Sequence, residues 1–153
     1  MGLRILSWLA WAGFLVLSGC AATGERFAGL RPPLGEHALV VLYRPDLVRA
    51  GAATHTVSID DKEIGVLRNA GWMTATIQPG RYTLKIDQRF ESGTRKSSAP
   101  LLARPGETIV FRVSPGVYYP LPVFPFAHNG AWTLQQVARE VAEAEMQDLR
   151  RSE

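Results

Sequence analysis

Few residues in this chain have the types and spacing for chemistry, and those few do not converge. Cys20 is the only cysteine. One cysteine excludes an internal disulfide and a zinc site built on Cys ligands. His37, His55 and His128 are far apart, with no paired-ligand spacing, so each reads as an ordinary surface or hydrogen-bonded residue. Asp60-Asp61 is followed by no calcium-loop spacing and reads as a solvated turn. No Gly-x-Ser-x-Gly elbow and no phosphate-cradling glycine loop occurs. Carboxylate pairs for acid–base work that meet only in space are invisible at this level. The expectation is a non-enzyme, with no catalytic residue, no cofactor and no metal.

Cys20 stands out by its surroundings. Arg4 and the amino group give a short positive start, and Ile5 to Leu17 is an apolar run. That run suits a signal-peptide core and is short for a spanning helix, which needs roughly 20 apolar residues. The alternative is an uncleaved anchor helix or a buried first helix. Leu17-Ser18-Gly19-Cys20 closes the run and resembles the lipobox of bacterial lipoproteins. The resemblance implies a thioether-linked lipid on Cys20, cleavage just before it, and acyl chains such as palmitate that bind the membrane. Ser18 and Gly19 are small enough to enter the peptidase. Ala21 follows the cysteine where an inner-membrane retention signal would place Asp. The family analogy therefore implies an outer-membrane lipoprotein facing the periplasm. Residues 1–19 are set aside as signal peptide.

What remains is long enough for one domain with a real core. The formal charge of the whole chain is +3, and removing Arg4 lowers it by one. No Lys/Arg cluster is interleaved with aromatics, so a nucleic-acid partner has no support.

Residues 20–37 read as a lipidated N-terminus and flexible linker, rich in Gly and Pro. Its stretch from Ala21 to Glu36 would reach roughly 50–55 Å extended and about 20–25 Å as a coil. Phe27 and Leu30 are isolated apolar residues that either float or dock. Residues 38–114 carry the strands. Ala38 to Tyr43 is a continuous apolar run ended by Arg44-Pro45, hence a buried strand. Val57 and Ile59 alternate with polar residues, and Asp60 to Glu63 is a turn. Ile64 to Arg68 returns with Ile64 and Val66 on one face. Asn69-Ala70-Gly71 turns again. Trp72 to Ile77 and Tyr82 to Asp87 flank Pro79-Gly80, with Tyr82, Leu84 and Ile86 facing inward. Gln88 to Ser98 reads as an exposed loop or ragged hairpin. Pro105-Gly106 then introduces Ile109, Phe111 and Val113. Period-two strands with turns every 8–12 residues or so predict a mainly β chain: a small antiparallel β-sandwich.

Residues 115–132 form a Pro-rich crossover carrying Tyr118, Tyr119, Phe124 and Phe126. It is either an aromatic binding segment or a cap on one end of the sandwich. Residues 133–151 read as a C-terminal amphipathic α-helix. Thr133 and Gln136 would form its capping box, and Leu134, Val137 and Val141 lie in its apolar stripe. The stripe packs on its own domain, on a partner, or on a membrane. Its mixed polar face weakens the membrane option. The crossover aromatics, Leu134, Val137 and Val141 are the candidate partner-binding residues.

Val41-Leu42-Tyr43-Arg44-Pro45, Val57-x-Ile59-Asp60, Ile64-Gly65-x-Leu67, Asn69-x-Gly71 and Pro79-Gly80-x-Tyr82-x-Leu84 follow one another in order. This series resembles the bacterial lipoprotein family numbered 2846 among the domains of unknown function. Its middle part is similar to the PEGA-type small β-domains, although those have Gly where this chain has Asp61-Lys62. The resemblance spans about Ala38 to Val113. It implies a β-sandwich on a lipid anchor, with no catalytic residue to carry over. The expected function is a lipid-anchored envelope protein whose β-domain binds or scaffolds an envelope protein or cell-wall component. The alternative is an envelope enzyme or accessory subunit.

Overall fold

The computed structural model describes residues 21–47, 51–90, 93–116 and 132–152. They build a mainly β architecture of two facing sheets. The strands are β1 (Ala38–Arg44), β2 (His55–Ile59), β3 (Lys62–Leu67), β4 (Gly71–Ile77), β5 (Gly80–Phe90), β6 (Gly93–Ala103), β7 (Thr108–Pro115), β8 (Trp132–Val137) and β9 (Arg150–Arg151). One helix, α1 (Arg139–Met146), precedes β9. The first sheet runs β8-β7-β1-β4-β9 and the second β3-β2-β5-β6. Pairing is antiparallel except for β1 with β7 and β4 with β9.

Period-two alternation decides which side chains meet between the sheets. Val40 and Leu42 of β1, Met73 of β4 and Ile109, Phe111 and Val113 of β7 face Val57, Leu84, Ile86 and Leu101 of the second sheet. β1 is apolar from Ala38 to Tyr43 because its other face is buried too. Val41, Tyr43 and Val110 pack under Ala142 and Met146 of α1, together with Leu149 and Leu30. The molecule therefore has two cores, one between the sheets and one between the first sheet and its helix.

Several expectations need correction. Residues 133–151 are not one helix. Trp132–Val137 is a strand on the open edge of β7, with Leu134 opposite Val113. Trp132 is buried and Leu134 half-buried while Thr133 and Gln135 are exposed, which is a strand period. The Thr133 hydroxyl donates to the Ser114 carbonyl at 3.1 Å, so it caps no helix. The ladder offered by β7 outweighed a marginal helical pattern. The sandwich accordingly extends past residue 114 to take in β8 and β9.

Residues 21–30 are not a free linker. Ala22 and Leu30 are buried. Ala22 N donates to Asn69 O at 3.0 Å, Gly24 N to Arg151 O at 3.1 Å and Phe27 N to Leu149 O at 2.9 Å. Of the two readings of Gln88 to Ser98, the hairpin holds rather than the loop, its described residues pairing within β5 and β6. In β3 the inward residues are Ile64 and Leu67, not Ile64 and Val66. A register shift beside Val57 and Ser58 pairs Val57 with Gly65 but Ser58 with Glu63, so the alternation slips by one.

Candidate functional site

The outer faces of the two sheets differ. That of the first sheet is covered by α1, which is pinned by Tyr43: its hydroxyl donates to Glu145 Oε2 at 2.6 Å. Arg112 reaches the other oxygen of that carboxylate at 2.9 Å. Burial first, then the Glu145 partner, push the Tyr43 hydroxyl well above the ordinary phenol range.

The outer face of the second sheet is a polar trough of about 380 Å³. Thr56 and Ser58 of β2, Lys85 and Asp87 of β5 and Lys96 and Ser98 of β6 supply its floor. They point outward because Val57, Ile59, Leu84 and Ile86, the alternate residues, fill the core. Register sets two rows: Thr56 opposite Asp87 opposite Lys96, and Ser58 opposite Lys85 opposite Ser98. The β2–β3 turn closes the row end. Asp60 and Asp61 both have positive φ, 45° and 67°, the backbone of a tight hairpin turn. Asp60 ties that turn to β5, its carboxylate accepting from Thr83 N at 2.7 Å.

Four of the charged residues lining the trough form two ion pairs. Lys85 Nζ lies 2.5 Å from Asp61 Oδ1, and Lys96 Nζ lies 3.7 Å from Asp87 Oδ2. The hydrogen bond from Lys85 holds the Asp61 carboxyl below the usual carboxylate range. The same bond raises Lys85 above an ordinary lysine. Both shifts move away from neutral pH, so both groups stay charged there.

A second polar cluster lies inside the sandwich at the end where β1 finishes. Arg44 is wholly buried, donates to the Ala53 carbonyl and sits 4.6 Å from the centre of the Trp132 ring. Burial, partly opposed by Asp46, pushes its guanidinium down to about 10. His55 packs edge-on against Trp132 at 4.2 Å. It is buried and neither ring nitrogen has a hydrogen-bond partner among the described residues, which corrects the reading of an ordinary surface or hydrogen-bonded histidine. Burial first, then the Arg44 charge, lower its pKa to about 3. The sequence signal for a buried His55 was its place at the inward phase of Val57 and Ile59.

Leu17, Ser18, Gly19, Cys20, Tyr118, Tyr119, Phe124, Phe126 and His128 lie outside the described residues. Leu134, Val137 and Val141 are not brought together. Leu134 packs against the core between the sheets, Val137 against the core under α1, and Val141 is 47% exposed. Sequence reasoning missed the trough, although Thr56, Ser58, Lys85 and Asp87 are the polar phase of strands that it had placed. Among the described residues no group of three or more His, Cys, Asp or Glu is arranged to hold a metal.

A family model described as "Protein of unknown function (DUF2846)" matches residues 35–120. The chain belongs to the DUF2846 family. The match spans β1 to β7, and so contains every residue of the trough. In the DUF2846 sandwich seen here, α1 and β9 lie beyond the matched region. Neither a curated protein nor a solved structure matches the chain.

Proposed function

We propose that this DUF2846 protein is a lipid-anchored, non-catalytic envelope protein whose β-sandwich binds another envelope component through the outer face of its second sheet. The observation that carries the reading is the asymmetry of the sheets. One outer face is closed by a helix pinned through Glu145, while the other presents hydroxyls and charges of both signs on a β-sheet floor. Such a face suits a polar, hydrogen-bonding partner such as a protein segment or a cell-wall polymer, by complementary charge and hydrogen bonds. The anchor rests on the lipobox-like Leu17 to Cys20. The acyl chains of a lipoprotein bury far more than the single chain whose hold is marginal. The site is the outer membrane, facing the periplasm.

A photo-crosslinking residue at Ser98 should capture a defined partner in the native envelope, and one at Gln136 on β8 should not. Lys85→Glu should abolish the Ser98 crosslink while leaving the fold intact. Equal capture from both positions would defeat the assignment of the face. Cys20→Ser should remove incorporation of a fatty-acid analogue; equal labelling of wild type and variant would end the lipid claim.

A further inference from the structure

Resting on the lipid-anchor reading, we infer that the anchor has no slack: the sandwich sits end-on against the membrane, on the end where β1 finishes and β2 begins, and the headgroup layer is the partner of that end. The bond from Cys20 leads straight to Ala21, and consecutive Cα atoms are only about 3.8 Å apart. Ala21 already bridges Asn69, in the turn between β3 and β4. Ala22 N donates to Asn69 O, and Ala22 is 4% exposed. From there the chain is laced to β9. Gly24 N donates to Arg151 O at 3.1 Å, Arg151 N to Glu25 O at 2.8 Å and Phe27 N to Leu149 O at 2.9 Å. Asn69 is held in turn: its Nδ2 donates to Asp46 at 2.8 Å and its Oδ1 accepts from Leu47 N at 3.1 Å.

The elements that meet at this end follow from register. Arg44 is opposite Gly71, His55 is opposite Leu67, and Pro115 is opposite Trp132. The Pro105-Gly106 turn and the Asp60-Asp61 turn lie at the other end, a strand length away, roughly 20–25 Å for seven residues. Arg150 and Arg151, both exposed, flank the entering strand on the anchored side. The Arg150 guanidinium, which also donates to Gly24 O at 3.3 Å, suits anionic headgroup phosphates, while that of Arg151 lies over the Trp72 ring. The strands then stand along the membrane normal, and the polar trough opens sideways, parallel to the bilayer.

The test uses the full lipidated protein in vesicles of phosphatidylethanolamine and phosphatidylglycerol carrying a headgroup quencher. A fluorophore is attached at Thr54→Cys on the anchored end, or at Pro105→Cys on the far end. Thr54 should be quenched several-fold more than Pro105. In Gly24→Val, the new Cβ meets Arg151 O at 2.6 Å and Arg151 Cβ at 2.9 Å, so the lacing opens and the difference should collapse. A flexible Gly/Ser insert between Cys20 and Ala21 should also collapse it, without touching the lacing. Equal quenching at the two positions in protein that carries lipid and floats with vesicles overturns the end-on seat alone. A difference that survives both variants overturns the role of the laced segment. Protein that neither takes up a fatty-acid analogue nor floats removes the anchor, and this inference with it.

Discussion

Leu84, Lys85 and Ile86 show how one residue's phase decides its worth. Leu84 and Ile86 are essentially inaccessible, while Lys85 faces the trough. Leu84→Ala or Ile86→Ala should lower unfolding free energy by about 2–5 kcal/mol. Lys85→Ala should stay within about 0.5 kcal/mol, because an exposed ion pair contributes little. Urea titration of the chain from Ala21 onward measures all three. His55 gives a pH test with a definite sign. Folded His55 stays neutral down to about pH 3, whereas an unfolded histidine takes a proton near 6.5. The unfolded state binds more protons between those values, so stability is full above about pH 6.5 and drains as pH falls towards 3. The limiting slope is about 1.4 kcal/mol per pH unit. Between about pH 6.5 and 4.5, before most carboxylates titrate, His55→Phe should flatten the stability profile. Arg44→Met should raise the folded pKa and so end the fall in stability at a higher pH, since the neighbouring charge helps hold His55 neutral. An unchanged profile in both variants would refute a buried neutral imidazole.

At the scale of elements, α1 is held by Ala142 and Met146 and not by Val141. Met146→Ala should cost about 2–5 kcal/mol, and Ala142→Asp should cost several by burying an unpaired carboxylate. Val141→Asp should move the melting temperature little; a large drop would mean that the helix is rotated from the position described. The reason sequence misread this region is visible in its residues. Leu134 and Val137 fit a helical stripe as well as a strand flank, and the choice between them was made by the unfilled edge of β7, a feature of the assembled sheet. β1, β2, β4 and the inward phase of β5 and β7 were legible because apolar alternation and Pro-Gly turns agree there. In β3, Gly65 (φ 146°) lies at the register slip, and no periodicity announces a bulge. The docking of residues 21–30 was illegible for a different cause. The bonds that join Ala22, Gly24 and Phe27 to Asn69, Arg151 and Leu149 are backbone to backbone, so Gly-rich sequence carries no trace of them. The trough was half legible: Thr56, Ser58, Lys85 and Asp87 fall on the polar phase, yet only the register joins them across strands.

One edge of the first sheet is closed by the first and last described residues, with β9 lying between β4 and the chain around Gly24. Trp72 sits at this joint, edge-on to Phe27 at 5.6 Å and 5.7 Å from the Arg151 guanidinium. Leu149 and Leu30 bury their side chains there, each worth about 1.5–3 kcal/mol. Ending the chain after Met146 would remove Leu149, Arg150, Arg151 and Ser152. The amides of Gly24 and Phe27 would then lose their acceptors, and the amide of Arg68 would lose its Ser152 hydroxyl. Without the first twenty residues the chain has two tryptophans, Trp72 and Trp132, so Trp132→Phe leaves Trp72 as the reporter. Truncation in that background should shift Trp72 emission to the red, raise its quenching by acrylamide and speed hydrogen exchange at Gly24 and Phe27. Stability should fall by a few kcal/mol, because two apolar side chains and their ladder go together. The sandwich strands β2, β5 and β6 do not touch the joint, so slow exchange at their amides should survive. Unchanged Trp72 emission after truncation would show that residues 21–30 stay docked without β9, and that the clasp is not what ties the ends together.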